Sequence, residues 1–375
     1  MNRVKRMMSI LLCVVIPVSL SMVCTPAQAA ANPSGQENEV ESVLETMFKE
    51  RAKALVTQDM PAIEAFYDKE KASRVAYWHE RNRCNYMNKW AEKRDVKLTH
   101  ADSSIRIVRK SVHQEYAKIS LVQSEQIGYT YMKKFLPEQY FGVGTRHFIT
   151  LKKTDGVWTI YREWYLDPLD ENPDKIADGT LPSINKEADE SEHNGSSYKR
   201  KRAVHYANKY AGAAWGAGNH HHYNKKYLDY TGKGGDCTNF ASQVVGDEKE
   251  GGGLSHKGGW RYFKGTGGTR TWVHTDSFSH FLTYSGYGRV IKQGRYEEVV
   301  APSSKHPNGA VSELKPGDLI AYIPRNNDID HFAVIVGFND YGYPLVNCHT
   351  ADRYHVPFDL GWDRNTKYRL IHIKD

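Results

Sequence analysis

Cysteine is scarce: the 375 residues hold five, two of them in the first thirty. So few in a long chain excludes a disulfide scaffold. Zinc spacing is also missing. His220-His221-His222 stand together without a Cys or carboxylate beside them at ligand spacing. Three consecutive positions of a regular strand or helix cannot all face one ion, so a loop is expected there, and neither metal nor cofactor. No basic helix interleaved with aromatics occurs, which leaves no basis for a nucleic-acid partner. No solenoid-type repeat is apparent.

The one sustained apolar run, Ser9 to Val23, lies at the start. Arg3, Lys5 and Arg6 precede it, and Ala27-Gln28-Ala29 follows with small residues where a signal peptidase reads. Residues 1–29 therefore read as a secretory signal peptide, which predicts a secreted or wall-associated bacterial protein with no stable membrane span after cleavage. The formal charge is +7, and losing those three cations leaves +4. A mildly basic chain suits an anionic cell surface or wall. Cleavage also leaves Cys84, Cys237 and Cys348, an odd number, so at least one thiol is free or pairs with another molecule.

The length suggests two domains. Val40, Val43, Leu44, Met47 and Phe48 recur at helical spacing, and helical pattern continues at 61–67 and 71–94. The period then becomes two, at Ile105/Ile107, Ala117/Ile119/Leu121 and His147/Ile149/Leu151, with Asp155-Gly156 as a hairpin turn. This predicts an α+β domain over 36–168. Its element order resembles the cone-shaped fold of the SnoaL and nuclear-transport-factor type, with no role assigned. Residues 169–197 are polar, Pro- and Gly-containing, and read as a linker. A second α+β domain is expected over 198–375, with a cysteine-bearing helix packed on antiparallel strands.

The chemistry centres on "GGDCTNFASQ", residues 234–243. Cys237, Phe240, Ala241 and Val244 have helical spacing, which makes Asp236 the N-cap and Cys237 the first helical residue. The positive end of a helix favours the nucleophilic thiolate. Gly234 and Gly235 permit a sharp turn, and backbone amides near Cys237 could hold an oxyanion. Tyr227 and Tyr230 are lesser candidates for that task. A nucleophilic cysteine needs a base. His331 begins an alternating strand, and His349 ends the next one on the face it shares with Asn347. In a hairpin His331 and His349 fall at one end, where His349, or alternatively Asn347, would orient His331. Asp330 points to the other face.

"GGDCTNFASQ", with "AVHYANKY" (203–210), "KPGDLIAYI" (315–323), "DHFAVIVGF" (330–338) and "NCHTADRYHVP" (347–357), resembles an amidase domain of exported bacterial proteins. That family is related to the NlpC-type, papain-like cysteine peptidases. The resemblance spans 198–375. It implies a papain-like fold with Cys237 as nucleophile, His331 as base, and His349 or Asn347 as the third member. An amide or peptide substrate follows, with peptidoglycan peptides suggested by export. The glycine-rich stretch 251–268 and the histidine loop depart from the family pattern and are expected to flank the site. The competing expectation is a wall- or ligand-binding protein whose amidase-like domain is inactive.

Overall fold

The computed structural model describes residues 33–169, 172–179, 197–324 and 326–375. The expected signal peptide lies outside them. Three helices come first: α1 (Pro33–Thr57), α2 (Met60–Glu64) and α3 (Lys71–Lys93). Their apolar faces pack into a curved antiparallel sheet of long strands, β1 (Val96–Val112), β2 (Tyr116–Tyr131), β3 (Gln139–Thr154) and β4 (Val157–Tyr165). The β3–β4 turn is the two-residue Asp155-Gly156, with φ of 51° and 83°. Positive φ at both positions is what a type I′ hairpin turn requires.

The second half opens with α4 (Arg200–Lys209) and α5 (Cys237–Gly246). A short hairpin, β5 (Tyr262–Phe263) and β6 (Gly267–Gly268), leads to α6 (Arg270–Val273) and α7 (Thr275–Tyr284). Then come β7 (Gly288–Arg295), α8 (Tyr296–Val300), β8 (Leu319–Ile323), β9 (His331–Phe338), β10 (Pro344–Cys348), β11 (Asp352–Pro357) and β12 (Lys367–Ile373). Helices α4 and α5 bury Tyr206, Ala207, Phe240 and Val244 against Phe332 and Val334 of β9. Both halves are α+β, as the sequence predicts.

The halves share one sheet, ordered β1-β2-β3-β11-β10-β9-β8-β12-β7, with β4 also on β3. The joint is β3 with β11, pairing Gly144 with Asp352 and Gly142 with Tyr354. Both glycines are needed for space. A Cβ on either would collide with the backbone of Ala213–Trp215, which crosses that strand. Trp90 of α3 and Arg94, which caps it, reach Asp359 at 3.0 and 2.8 Å, adding further ties. Within the expected linker, Pro173–Lys175 form a 3₁₀ turn, and Ile176 and Ala177 are buried while their neighbours are exposed. Apolar Ile176 finds the core of the first half, so this part is a strap across the joint.

Candidate active site

Helix α5 begins where the sequence places it. Gly234 and Gly235 have φ of 101° and 116°. Gly234 has open space around its missing Cβ, so conformation and not crowding selects glycine there. Asp236 occupies the N-cap position but makes no capping bond, contrary to expectation. Its Oδ1 accepts from the backbone N–H of Tyr230 (2.8 Å) and from Asn239 Nδ2 (2.9 Å), and its Oδ2 meets His349 Nδ1 at 2.6 Å. The carboxylate thus fastens the glycine turn to the sheet.

Cys237 and His331 line one cavity of about 260 Å³. Gly234, Gly235, Asp330, Thr350, Ala351, Arg353, Gly361 and Trp362 also line it. Leu166, Asp167 and Pro168 close it from the first half of the chain. Sequence reasoning missed these three residues. They follow β4 where it and β11 share an edge of β3, a contact that no local pattern encodes. Arg353 fixes the seam by donating to the carbonyls of Pro168 (3.1 Å) and Leu360 (2.5 Å).

The Cys237 thiol is buried, and burial pushes it above the ordinary thiol range. The N–H groups of Phe332 and Thr238 and the Thr238 hydroxyl act the other way and do not prevail. His331 is also buried and falls to about 3, through desolvation first, then Arg353 and His349. Burial therefore disfavours the expected resting thiolate and favours the neutral forms of both groups. Removal from water disfavours both charged forms more than the helix end can offset.

His349 does not orient His331. Its Nδ1 faces Asp236, and its Nε2 faces the Tyr210 carbonyl at 2.6 Å. Its ring is sandwiched between Tyr223 (3.6 Å) and Phe240 (3.9 Å). Asn347 is bound to Ala207 O (3.2 Å), Asn208 Oδ1 (2.8 Å) and the His355 N–H (2.7 Å). Register supplies the reason. Asn347 pairs with Val334, so continuing the ladder sets His349 across from Phe332. His331 points to the other face, towards Tyr322 and Trp362 at 5.8 and 5.7 Å. Among the described residues, its ring has no hydrogen-bond partner.

The expected oxyanion donors change too. Gly235 N–H is spent on Tyr230 O (3.2 Å) and Asp236 N–H on Thr350 Oγ1 (2.6 Å). The first i→i−4 bond of α5 runs from Phe240 to Asp236, which leaves the Cys237 N–H without an acceptor inside the helix. Tyr227 is tied to Asp247 (2.6 Å), Tyr230 accepts from Gly268 N–H (3.0 Å), and neither lines the cavity. Nor does the stretch 251–268, which wraps the far end of α5 and seats Trp260 against Gly246.

Residues 197–371 match the family model described as "Putative amidase domain". A domain of this kind implies an amide substrate. No curated protein matches the chain. Among solved structures, similar ones include a "Putative Scytalone Dehydratase" from Novosphingobium aromaticivorans, 14% identical over 35% of this chain and 83% of that one, TM-score 0.25. A "Putative NTF2-like transpeptidase" from Campylobacter jejuni is 13% identical over 32% of this chain and 95% of that one, TM-score 0.17. Among the described residues, no helix is long and apolar enough to cross a membrane, and no group of three or more His, Cys, Asp or Glu could hold a metal ion.

Proposed function

We propose that the protein is an exported cysteine amidase or peptidase that hydrolyses amide bonds in cell-wall peptides. The observation that carries the reading is the single cavity lined by Cys237 and His331, inside the segment that matches the amidase domain. Substrate class and export rest on the N-terminal pattern and the basic charge.

Because both groups rest neutral, attack and proton transfer are coupled. His331 takes the Sγ proton as sulfur adds to the carbonyl carbon, and the oxyanion turns towards the Cys237 N–H. The imidazolium returns the proton to the leaving amine, the C–N bond breaks, and a thioester remains. Water, deprotonated by His331, hydrolyses it and restores the thiol. His349 and Asn347 are positioning residues here. His349 holds Asp236 and the turn before the nucleophile, and Asn347 holds β10 to α4.

One observation favours the competing reading of an inactive, ligand-binding domain: His331 lacks an orienting partner among the described residues. The test is hydrolysis of cell-wall material and small peptide amides by the parent and by Cys237→Ala. A loss on the order of 10⁴-fold in kcat/KM is expected. Equal turnover by parent and variant removes Cys237 from the mechanism.

A further inference from the structure

A second cavity, of about 290 Å³, lies between the outer face of the first-half sheet and the histidine loop. It is lined by Arg106, Arg146, His221, His222, Lys225 and, as its one acid, Asp229. Arg146 is already paired with the buried Asp352 (3.3 Å) and lies over the Tyr223 ring. Arg106 and Lys225 are exposed. The loop is held in place: Asn219, His220 and His221 have φ of 50°, 53° and 59°, and Asn219 Nδ2 donates to the carbonyls of His222 (2.7 Å) and Tyr223 (3.2 Å). Consecutive left-handed non-glycine residues are costly and persist only where surroundings impose them.

A row of paired strand positions leads from this cavity towards the catalytic one. Arg106 pairs with Val122 and Val122 with Arg146. His147 pairs with Tyr165, so Leu166 comes next, opposite Arg146, at the rim of the catalytic cavity. Three strand spacings put Arg106 about 14 Å from Leu166. Leu166 is 52% exposed, so this row is open to a ligand lying across it. Tyr223 lines this cavity, its hydroxyl donates to Asp352, and its ring stacks on His349.

We propose that this cavity binds an oxyanion, a carboxylate or phosphate, carried by the amide substrate some 14 Å from the catalytic rim. The link to substrate rests on the amidase reading; the anion site does not. The site is tested on the full chain carrying Cys237→Ala, by calorimetric titration with inorganic phosphate and, separately, acetate. Saturable one-site binding is expected. It should weaken roughly tenfold or more when Arg106→Gln and Lys225→Gln are added, and persist with Lys225→Arg. Stronger binding of phosphate assigns a phosphate-bearing ligand, and stronger binding of acetate a carboxylate. Absence of saturable binding, or binding unchanged by the double variant, overturns the site.

The substrate link is read from KM for paired peptide amides with and without the distal anion. The anionic member should have a KM about tenfold lower, an advantage the double variant loses while its turnover of the neutral member stays at the parent level. An advantage that survives the double variant overturns the link. If the parent hydrolyses neither amide yet phosphate binding still depends on Arg106 and Lys225, the amidase reading fails and the anion site stands.

Discussion

The buried ion-pair network of the first half contrasts with the two groups proposed to react in the second, although the second half also buries pairs such as Arg200–Asp318 and Asp236–His349. Inside the first, every buried charge meets its complement. Arg51 binds Glu163 with both Nη atoms, one at 2.9 Å, and Tyr67 at 2.5 Å, while His147 meets Glu163 at 2.8 Å. Arg83 binds Glu125 and reaches Asp167 at 3.4 Å. This network lies between α1, α3 and the sheet. In the second half the two groups proposed to react are buried without any ion pair and rest neutral. Pairing fixes shape, whereas an unpaired neutral thiol and imidazole keep their proton transfer available for the reaction.

The sharpest way to break this contrast is to strand a charge in the first half. Arg51→Met leaves Glu163 and Glu80 without their guanidinium. A loss of about 3–5 kcal/mol is expected in denaturant unfolding, whereas replacing Arg51 and Glu163 together by apolar residues should recover most of it. If the single variant is as stable as the parent, the network is not what holds the cone. A smaller effect is expected at the joint. Gly142→Ala forces β3 away from Trp215 and should cost about 1–3 kcal/mol, and because the cavity straddles that joint, KM should rise as well. Stability lost with KM unchanged would show that the halves do not cooperate in binding. Smaller again is Gly234→Ala, at about 1 kcal/mol, since only the left-handed backbone opposes it.

The mildest test uses acid. His331 falls to about 3 and His355 to about 4 on folding, both through desolvation. Their stabilising contribution is complete above the ordinary histidine value and is lost as pH drops towards those folded values. Glu163 and Asp167, held down by Arg51 and Arg83 respectively against the opposing effect of burial, keep theirs until pH falls below the ordinary carboxylate range. The acid decline in Tm should therefore begin near pH 6 from the second half and steepen below about 4 from the first. His331→Gln should flatten only the upper part. A profile that His331→Gln leaves unchanged would mean the imidazole is not buried in the neutral form.

The sequence made the setting of Cys237 readable because it is local. Two glycines, a helical period from Cys237 and an alternating strand from His331 need no distant partner to be recognised. The relation of His331 to His349 was half legible. Alternation correctly groups His349 with Asn347, but the face that His331 takes depends on strand register, which no spacing within either strand reveals. Strand β11 went unread because Asp352–Pro357 is short and carries Arg353 and His355 among its few apolar residues. The contribution of Leu166–Pro168 was invisible for a related reason: it arises only once β11 has docked on β3.

That docking bears on how the second half would behave if separated from the first. Removing residues 33–169 would strip β3 from β11 and leave the Asp352–Tyr354 backbone as an open sheet edge. Uncovered edges template pairing with other chains. The excised fragment should self-associate through that edge, and the cavity lined by Cys237 and His331 would lose one wall. The first half thus covers an edge of the second half's sheet that would otherwise lie open.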